Sequence, residues 1–461
     1  MYAVVQLAAH TDTVEWGYVR RLGYALVEET KVEIGGSKID EQYGDWLNVW
    51  HELSHKVGQE RGHAAMIGDD AAHKELTESH GASTLYVPLA YWFNRHNGLA
   101  LPLIALQYHD VRVTIKYRAA ADCVNYKGDS APTGMEMADS YLLIDYVFLD
   151  SEERKRFAQA SHEYLIEQLQ FTGAESLTST NNKYRLNFNH PSKYLVWAPH
   201  LEAHANATQW VAYADDDDWE AARERFAKLV WLASRDGITG TGSSATVTVT
   251  DGATDEVQVG SNGAAAGGVL NTLVEDKISA QLVFVSPGVG PTAPATLGNV
   301  VLLSNTVTAE DMSLTVEQLT ADDTGAARTF LRSVGVTVVD HFNYGRWVDR
   351  TANPVATSKL QLNGHDRFQQ RDGNYFNYVQ PYQHFSNTPA DGINVYSFAL
   401  KPEDHQPSGT CNFSRIDNAT LNVSVVDGAV ATDEDSNLNI YTVNYNVLRV
   451  MSGMAGTAYS N

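Results

Sequence analysis

The sequence predicts an all-β protein of antiparallel strands with one architecture used twice along the chain. Three observations carry this. Residues 111–118, VRVTIKYR, place Val111, Val113, Ile115 and Tyr117 on one face and Arg112, Thr114, Lys116 and Arg118 on the other, a half-buried strand. Two hairpin signals, Gly35-Gly36 and Asn363-Gly364, each follow a lysine and an alternating apolar pair. Residues 391–425 read strand, Pro-punctuated loop, strand: Val395, Ser397 and Ala399 alternate with Tyr396, Phe398 and Leu400. Pro402, Pro407 and Gly409 then interrupt, and Leu421, Val423 and Val425 resume a period of two. Strands joined by long polar loops suit an antiparallel sheet.

The elements follow in order. Residues 28–39 form a hairpin, with Val32 and Ile34 alternating against Lys31 and Glu33 and the glycine pair supplying the positive-φ turn. Residues 85–93 are an apolar run, 99–110 follow Asn97-Gly98, and 111–118 are the clean strand. Residues 141–149, YLLIDYVFL, close the first half. The period then changes. Asp150 is an N-cap with Glu153 three residues on, and a short helix connects the halves. In the second half 163–172 and 184–197 are strand-like, and 359–368, KLQLNGHDRF, matches 31–39. The strand at 421–425 answers the one at 111–118, and 441–450, YTVNYNVLRV, answers 141–149.

Residues from about 212 to 335 break this correspondence and are expected to enlarge surface loops of the second half. They open with Asp215, Asp216, Asp217 and Asp218, then an amphipathic helix over 219–234, then a Gly/Ser/Thr/Ala tract around a TVTVT strand.

Composition bounds the function. A chain of 461 residues, 43 % hydrophobic, holds two sizeable domains. Its formal charge of −23 repels phosphate backbones, which argues against coating DNA. Cys123 and Cys411 lie far apart, in no metal-ligand spacing, and are expected to be reduced packed thiols. No secretory leader is expected, and no apolar run is long enough to span a bilayer.

One motif points to an enzyme. His51-Glu52-Leu53-Ser54-His55 fits HExxH, in which two histidines one helical turn apart hold Zn²⁺ and the glutamate is the general base. Gly58 sits where a metzincin needs it, but Arg61 occupies the third-ligand position and His63 comes two residues late. The expectation is therefore a structural helix or loop, with a zinc metalloprotease of His51, Glu52 and His55 as the alternative. The acidic run 215–218 lacks the glycine and terminal glutamate of a Ca²⁺ loop and reads as a solvated cap on the next helix. The glycines at 260–268 lack the strand–helix setting of a nucleotide loop, and there is no GxSxG elbow. Asn206, Asn412, Asn418 and Asn422 begin N-x-[ST] triplets that are expected to stay unmodified. Aromatic-rich stretches at 341–347 and 375–385 read as core or subunit contact, with a sugar-binding platform, and so a jelly-roll carbohydrate-binding protein, as a further alternative.

The wording of several long segments resembles the major capsid proteins of nucleocytoplasmic large DNA viruses. It is carried by LVEETKVEIGGSKIDEQYGDW at 26–46, LYVPLAYWFNRHNGLALPLIALQYHDVRVTIKYRA at 85–119, and YLLIDYVFLDSEERKRFAQASHEYLIEQLQ at 141–170. YRLNFNHPSKYLVW at 184–197 and PSGTCNFSRIDN within 391–425 complete it. The resemblance implies two consecutive eight-stranded antiparallel jelly rolls, with short helices in connectors and loops. Roll one would span 1–150, a helical connector 151–162, and roll two 163–461 with the insertion at about 212–335. It implies a structural subunit of a virion capsid, assembled in the host cytoplasm into homotrimeric pseudo-hexagonal capsomers. Neighbouring capsomers, minor capsid and penton proteins and a nearby internal membrane are the implied partners, with no direct nucleic acid. No catalytic residue, cofactor or metal is expected. In the family the segment resembling MYAVVQLAA is internal, so an upstream arm and first strand are expected before Met1.

Overall fold

A computed structural model gives the fold. It describes residues 1–56, 58–74, 77–126, 131–201, 210, 211, 213, 353–426 and 436–459, and five strands between 247 and 340. The chain divides into two compact units. One comprises Met1–Asp69, Leu76–Asp216 and Ala352–Asn461; the other comprises Asp70–Glu75 and Asp217–Thr351.

In the first unit the strands of the first half are β1 (Tyr2–Leu7), β2 (His10–Tyr18), β3 (Val27–Ile34), β4 (Ser37–Tyr43), β5 (Thr77–His80), β6 (Ser83–Pro88), β7 (Val111–Tyr117), β8 (Val124–Tyr126) and β9 (Met137–Leu143). Helices α1 (Leu22–Leu26), α2 (Gly44–Ser54) and α3 (Glu60–Ile67) lie among them. The sheets run β6-β1-β9, β5-β2-β8 and β4-β3-β7, and each pairing is antiparallel. The hairpin turn is as expected: Gly35 and Gly36 take φ of 59° and 80°. Ala3 and Val5, Trp16, Val32, Leu85, Val87 and Val124 meet in one buried core.

Helix α5 (Ser151–Gln159) connects the halves; α4 (Ala71–Lys74) belongs to the second unit. The expected capping box is present. The Asp150 side chain accepts from the backbone N–H groups of Glu152 and Glu153, both at 3.0 Å, and the Glu153 carboxylate accepts from Asp150 N–H at 3.4 Å.

The second half contains β10 (His162–Ser176), β11 (Asn181–Arg185) and β12 (Pro191–His200), and its remaining strands follow the second unit in sequence. In the second unit α4 is Ala71–Lys74, β13 (Val247–Asp251) pairs with β14 (Asp255–Val259), and β17 (Ser333–Asp340) lies between β15 (Ile278–Val285) and β16 (Met312–Thr315). The expected TVTVT strand is β13. The helix at 219–234, the acidic run 215–218, the glycines at 260–268 and the aromatics at 341–347 lie outside the described residues.

The remaining strands are β18 (Val355–Leu362), β19 (His365–Asp366), β20 (Arg371–Asp372), β21 (Asn394–Ser397), β22 (Cys411–Asn412), β23 (Ala419–Val425), β24 (Asn437–Met451) and β25 (Met454–Thr457). One sheet runs β10-β24-β12-β21 and the other β11-β23-β18-β19. Their core holds Leu195, Trp197, Leu360, Leu421, Val423, Leu438 and Ile440. A π turn at Tyr375–Val379 leads into α6 (Gln380–His384).

The halves repeat in detail. β1 pairs with β9 and β6 as β12 pairs with β24 and β21, and β3 pairs with β4 and β7 as β18 pairs with β19 and β23. Tyr141 stands opposite Val4 as Tyr441 stands opposite Val196. Two glycines mark equivalent close approaches: a Cβ at Gly44 would lie 2.2 Å from Val27 O, and one at Gly373 would lie 1.8 Å from Val355 O.

Two local expectations need correction. The run 184–197 is two strands, β11 and β12, because Asn187 to His190 turn the chain and His190 takes φ of 63°. Pairing of 141–149 ends at Leu143, and the residues beyond it are not in a strand. The aromatic stretch 375–385, read as core or subunit contact, falls in the helical segment Tyr375–His384.

Candidate functional site: the seam between the halves

Helix α2 carries the HExxH sequence, and its surroundings decide what the motif does. Gly44 lets the helix start against the Tyr24 and Val27 carbonyls. Asp45 then reaches into the second half, where its Oδ2 accepts from Tyr441 Oη at 2.6 Å and from Asn439 Nδ2 at 3.3 Å. Burial and this carboxylate push the Tyr441 hydroxyl well above its usual pKa, so it remains a donor. Trp46 packs against Tyr441 at 5.4 Å and Tyr194 at 6.4 Å between ring centroids.

Glu52 is buried, paired with the Arg21 guanidinium, and accepts from the backbone N–H of Ala390 at 3.2 Å. Leu53 O accepts from Asn387 N–H at 3.1 Å, and His55 O accepts from the Asn387 side chain. His51 stacks on His63 at 3.5 Å and 8°, while His63 Nε2 meets Tyr24 Oη at 2.7 Å. His55 Nδ1 lies 3.0 Å from His51 O. Burial, with neighbouring positive charge, holds His51 far below the usual imidazole range and His63 down at about 3, so both rings are neutral. A glutamate tied to Arg21 is no general base, and the rings stack face to face where ligands would converge. Among the described residues no group of three or more His, Cys, Asp or Glu side chains could hold a metal ion. The motif is a structural helix that builds the seam.

A second contact is ionic. Glu167 on β10 pairs with Lys193 Nζ on β12 at 2.8 Å and with Arg95 of the first half. Lys193 is fully buried and also donates to Asp404 O at 3.1 Å. Burial opposes ionisation of Glu167, but Arg95, His405 and Lys193 outweigh it and hold the carboxyl down at about 2. Arg95 also lies 4.3 Å over the Trp50 ring. Sequence reasoning passed over these residues. The signal was present: Glu167 and Lys193 interrupt apolar strands, at positions where a charge is buried only if paired.

A third contact joins two sheet edges. Asp40 on β4 accepts from Leu169 N–H on β10 at 2.9 Å and from Gln42 Nε2 at 3.0 Å. Burial pushes its carboxyl up to about 7, against those hydrogen bonds. Beside it a cleft of about 250 Å³ opens between β4 and β10. Ile34, Ile39, Trp92 and Leu106 of the first half close the seam against Ile166, Leu448 and Val450 of the second.

Outside the seam the first half shows an apolar surface. Tyr2, Tyr141, Leu143, Tyr146 and Val147 are exposed, and Phe148 is 92 % exposed. In the second half Tyr382 on α6 and Leu400 are exposed. The cysteines are packed: burial pushes the Cys123 thiol up to about 12 and raises that of Cys411.

Comparison with known proteins places this geometry. Residues 153–456 match the family model described as large eukaryotic DNA virus major capsid protein, and 3–150 match that of the major capsid protein N-terminus. Capsid protein 1 of Acanthamoeba polyphaga mimivirus is 39 % identical over 97 % of this chain and 85 % of its own length. The major capsid protein of Phaeocystis pouchetii virus is 39 % identical over 95 % and 82 %. The crystal structure of PBCV-1 VP54, fitted into a reconstruction of the virophage Sputnik, matches with TM-score 0.62 and 32 % identity over 100 % of this chain and 90 % of that one. The Faustovirus major capsid protein, at 11 % identity and TM-score 0.57 over 98 % of this chain and 85 % of that one, shares the fold.

Proposed function

The chain belongs to the family of large eukaryotic DNA virus major capsid proteins, and from that premise we propose that three copies close into one capsomer of pseudo-hexagonal outline. As a member of that family it is a structural component of the virion, built as a double jelly roll; it assembles with other copies of itself and is not an enzyme.

The observation that carries the trimer reading is the repetition of sheet order, β6-β1-β9 against β21-β12-β24. Two similar rolls per chain present six similar units in three chains, the arrangement a hexagonal lattice needs. The rolls are assigned to 1–150 and 163–461, joined by 151–162. The two family matches, which divide between 150 and 153, support that boundary. The insertion at about 212–335 is assigned to the capsomer top, and the base to minor capsid and penton proteins and an internal membrane. Assembly is assigned to the host cytoplasm. A formal charge of −23 supports a shell with no direct contact to nucleic acid. No catalytic residue, cofactor or metal is assigned.

Light scattering on the purified full chain tests the reading. A mass of three chains is expected, and a monomer at assembly concentrations overturns it.

A further inference from the structure

Asn-Gly occurs at 97–98, 262–263 and 363–364. The pair is open to self-modification, because a glycine has no side chain to bar its nitrogen from the preceding asparagine side-chain carbon. Asn262-Gly263 lies outside the described residues, and the other two pairs hold the asparagine in opposite ways.

Asn363 is tied. It sits in the β18–β19 turn at φ of 52°, and its backbone N–H donates to Asn418 O at 2.7 Å. Its Oδ1 accepts from the N–H groups of Asp417 and Asn418 at 3.0 and 3.1 Å. Bringing its Cγ to the Gly364 nitrogen breaks both side-chain bonds and opens the hairpin turn.

Asn97 is free. It is exposed, and among the described residues its carboxamide has no hydrogen-bond partner. Asn97 and Gly98 form the middle of a surface turn, closed by Leu99 N–H to His96 O at 2.9 Å and Ala100 N–H to Asn97 O at 3.2 Å. The nitrogen that must attack is already paired with a base. Gly98 N–H donates to His96 Nδ1 at 2.9 Å, so Nδ1 is unprotonated and the ring's proton sits on Nε2. A Cβ at Gly98 would lie 3.0 Å from Nδ1 and 3.3 Å from Cε1, so the glycine also makes room for the ring.

We propose that Asn97 is a deamidation site built into the chain, with His96 as its base and Asn363 as its protected counterpart. The Gly98 nitrogen attacks Asn97 Cγ as His96 Nδ1 takes its proton. A bond forms between that nitrogen and Cγ, the Cγ–Nδ2 bond breaks, and Nδ2 leaves as ammonia with the proton that His96 returns. Water then opens the cyclic succinimide. Addition at Cγ gives aspartate, and addition at the Asn97 backbone carbonyl gives isoaspartate, whose chain runs through Cβ and Cγ. The sum is amide plus water to carboxylate plus ammonium, with no change of oxidation state.

Either product places a new negative charge on the turn, and isoaspartate lengthens the backbone by one carbon. The turn joins two stretches anchored at the seam. Trp92 lies in its apolar core and Arg95 pairs with Glu167, while Leu99 and Leu101 pack against that core. A chain that ages in a particle therefore changes where the rolls meet.

Peptide mapping by mass spectrometry, on the full chain aged in warm neutral buffer, tests this. Trypsin releases residues 96–112 and 360–367, which carry Asn97 and Asn363 separately. Conversion at 97 is expected to run about tenfold faster than at 363, the factor set by the two side-chain bonds that Asn363 must break. His96→Ser keeps an acceptor for Gly98 N–H but supplies no base, and should slow conversion at 97 by about tenfold while leaving 363 unchanged. Aged wild type should show a lower unfolding midpoint than fresh protein, and Asn97→Gln aged alongside it should not. Conversion at 363 as fast as at 97 overturns the proposal, and so does a rate at 97 that His96→Ser leaves unchanged. An equal fall in midpoint for both aged proteins overturns the effect on the seam.

Discussion

Tyr141 and Tyr441 occupy the same register position of equivalent strands, yet one is 44 % exposed and the other 1 %. The difference comes from neighbours. β24 lies between β10 and β12 and β23 lies between β11 and β18, whereas among the described residues β9 pairs with β1 alone and β7 with β3 alone. In roll two β10 and β11 lie outside β24 and β23, at positions whose roll-one counterparts would fall before Met1. Equivalent local sequence therefore gives equivalent strands, while burial and stability are set by what lies against them.

The sharpest way to break this comparison is at the charges buried where roll two meets roll one. Lys193→Ala removes a partner of the buried Glu167 and leaves that carboxylate to Arg95 and His405. Unfolding in urea should show a loss of about 3 kcal/mol. A loss under about 1 kcal/mol would mean that Arg95 alone satisfies the carboxylate.

Next come the equivalent apolar positions. Leu448→Ala opens a cavity in the seam and should cost about 2–5 kcal/mol. Phe148→Ala, measured at concentrations too low for assembly, should change stability by less than about 0.5 kcal/mol, because its side chain is in water. Thermal unfolding of the two variants compares them directly, and equal losses would show that Phe148 is packed within its own chain.

A further effect is a dependence on pH. Asp40 ionises near 7 when folded, against an ordinary value of 3.8, so between those values the folded chain holds the extra proton. Its contribution to stability therefore falls as pH rises from about 4 to 7, by at most about 4 kcal/mol and in practice nearer 2. Glu167 has the opposite sign: its carboxyl is depressed from 4.5 to about 2, and the stability it adds is lost as pH falls through that interval. Unfolding midpoints of wild type and Asp40→Asn across pH 4 to 8 separate the two. The variant should lose the fall between 4 and 7, and an unchanged slope would remove Asp40 as its source.

Much of this was legible in the residues. The alternation of Val111 to Tyr117, both hairpin turns and the Asp150 capping box are local, and each depends on backbone geometry within a few positions. The double use of one architecture was legible too, because matched hairpins and strands recur in order. HExxH was misleading in isolation: the same five residues suit a zinc site or a buried helix, and only Arg21, Ala390 and Asn387, far away in sequence, decide between them. Glu167 and Lys193 were passed over for a related reason, since a charge within an apolar strand acquires its meaning from a partner on another strand.

By itself the sequence determined the strand periods, the two turns that need positive φ, the helical connector and the family to which the chain belongs. Those properties follow from side-chain pattern and backbone sterics over short spans. Only the tertiary structure decided that α2 builds a seam, that Tyr194, Tyr441 and Leu448 are covered while Tyr2, Tyr141 and Phe148 are not, and that the ionic cluster of Arg95, Glu167 and Lys193 crosses between the rolls. Burial and electrostatics depend on which distant segments meet, and no local pattern carries that information.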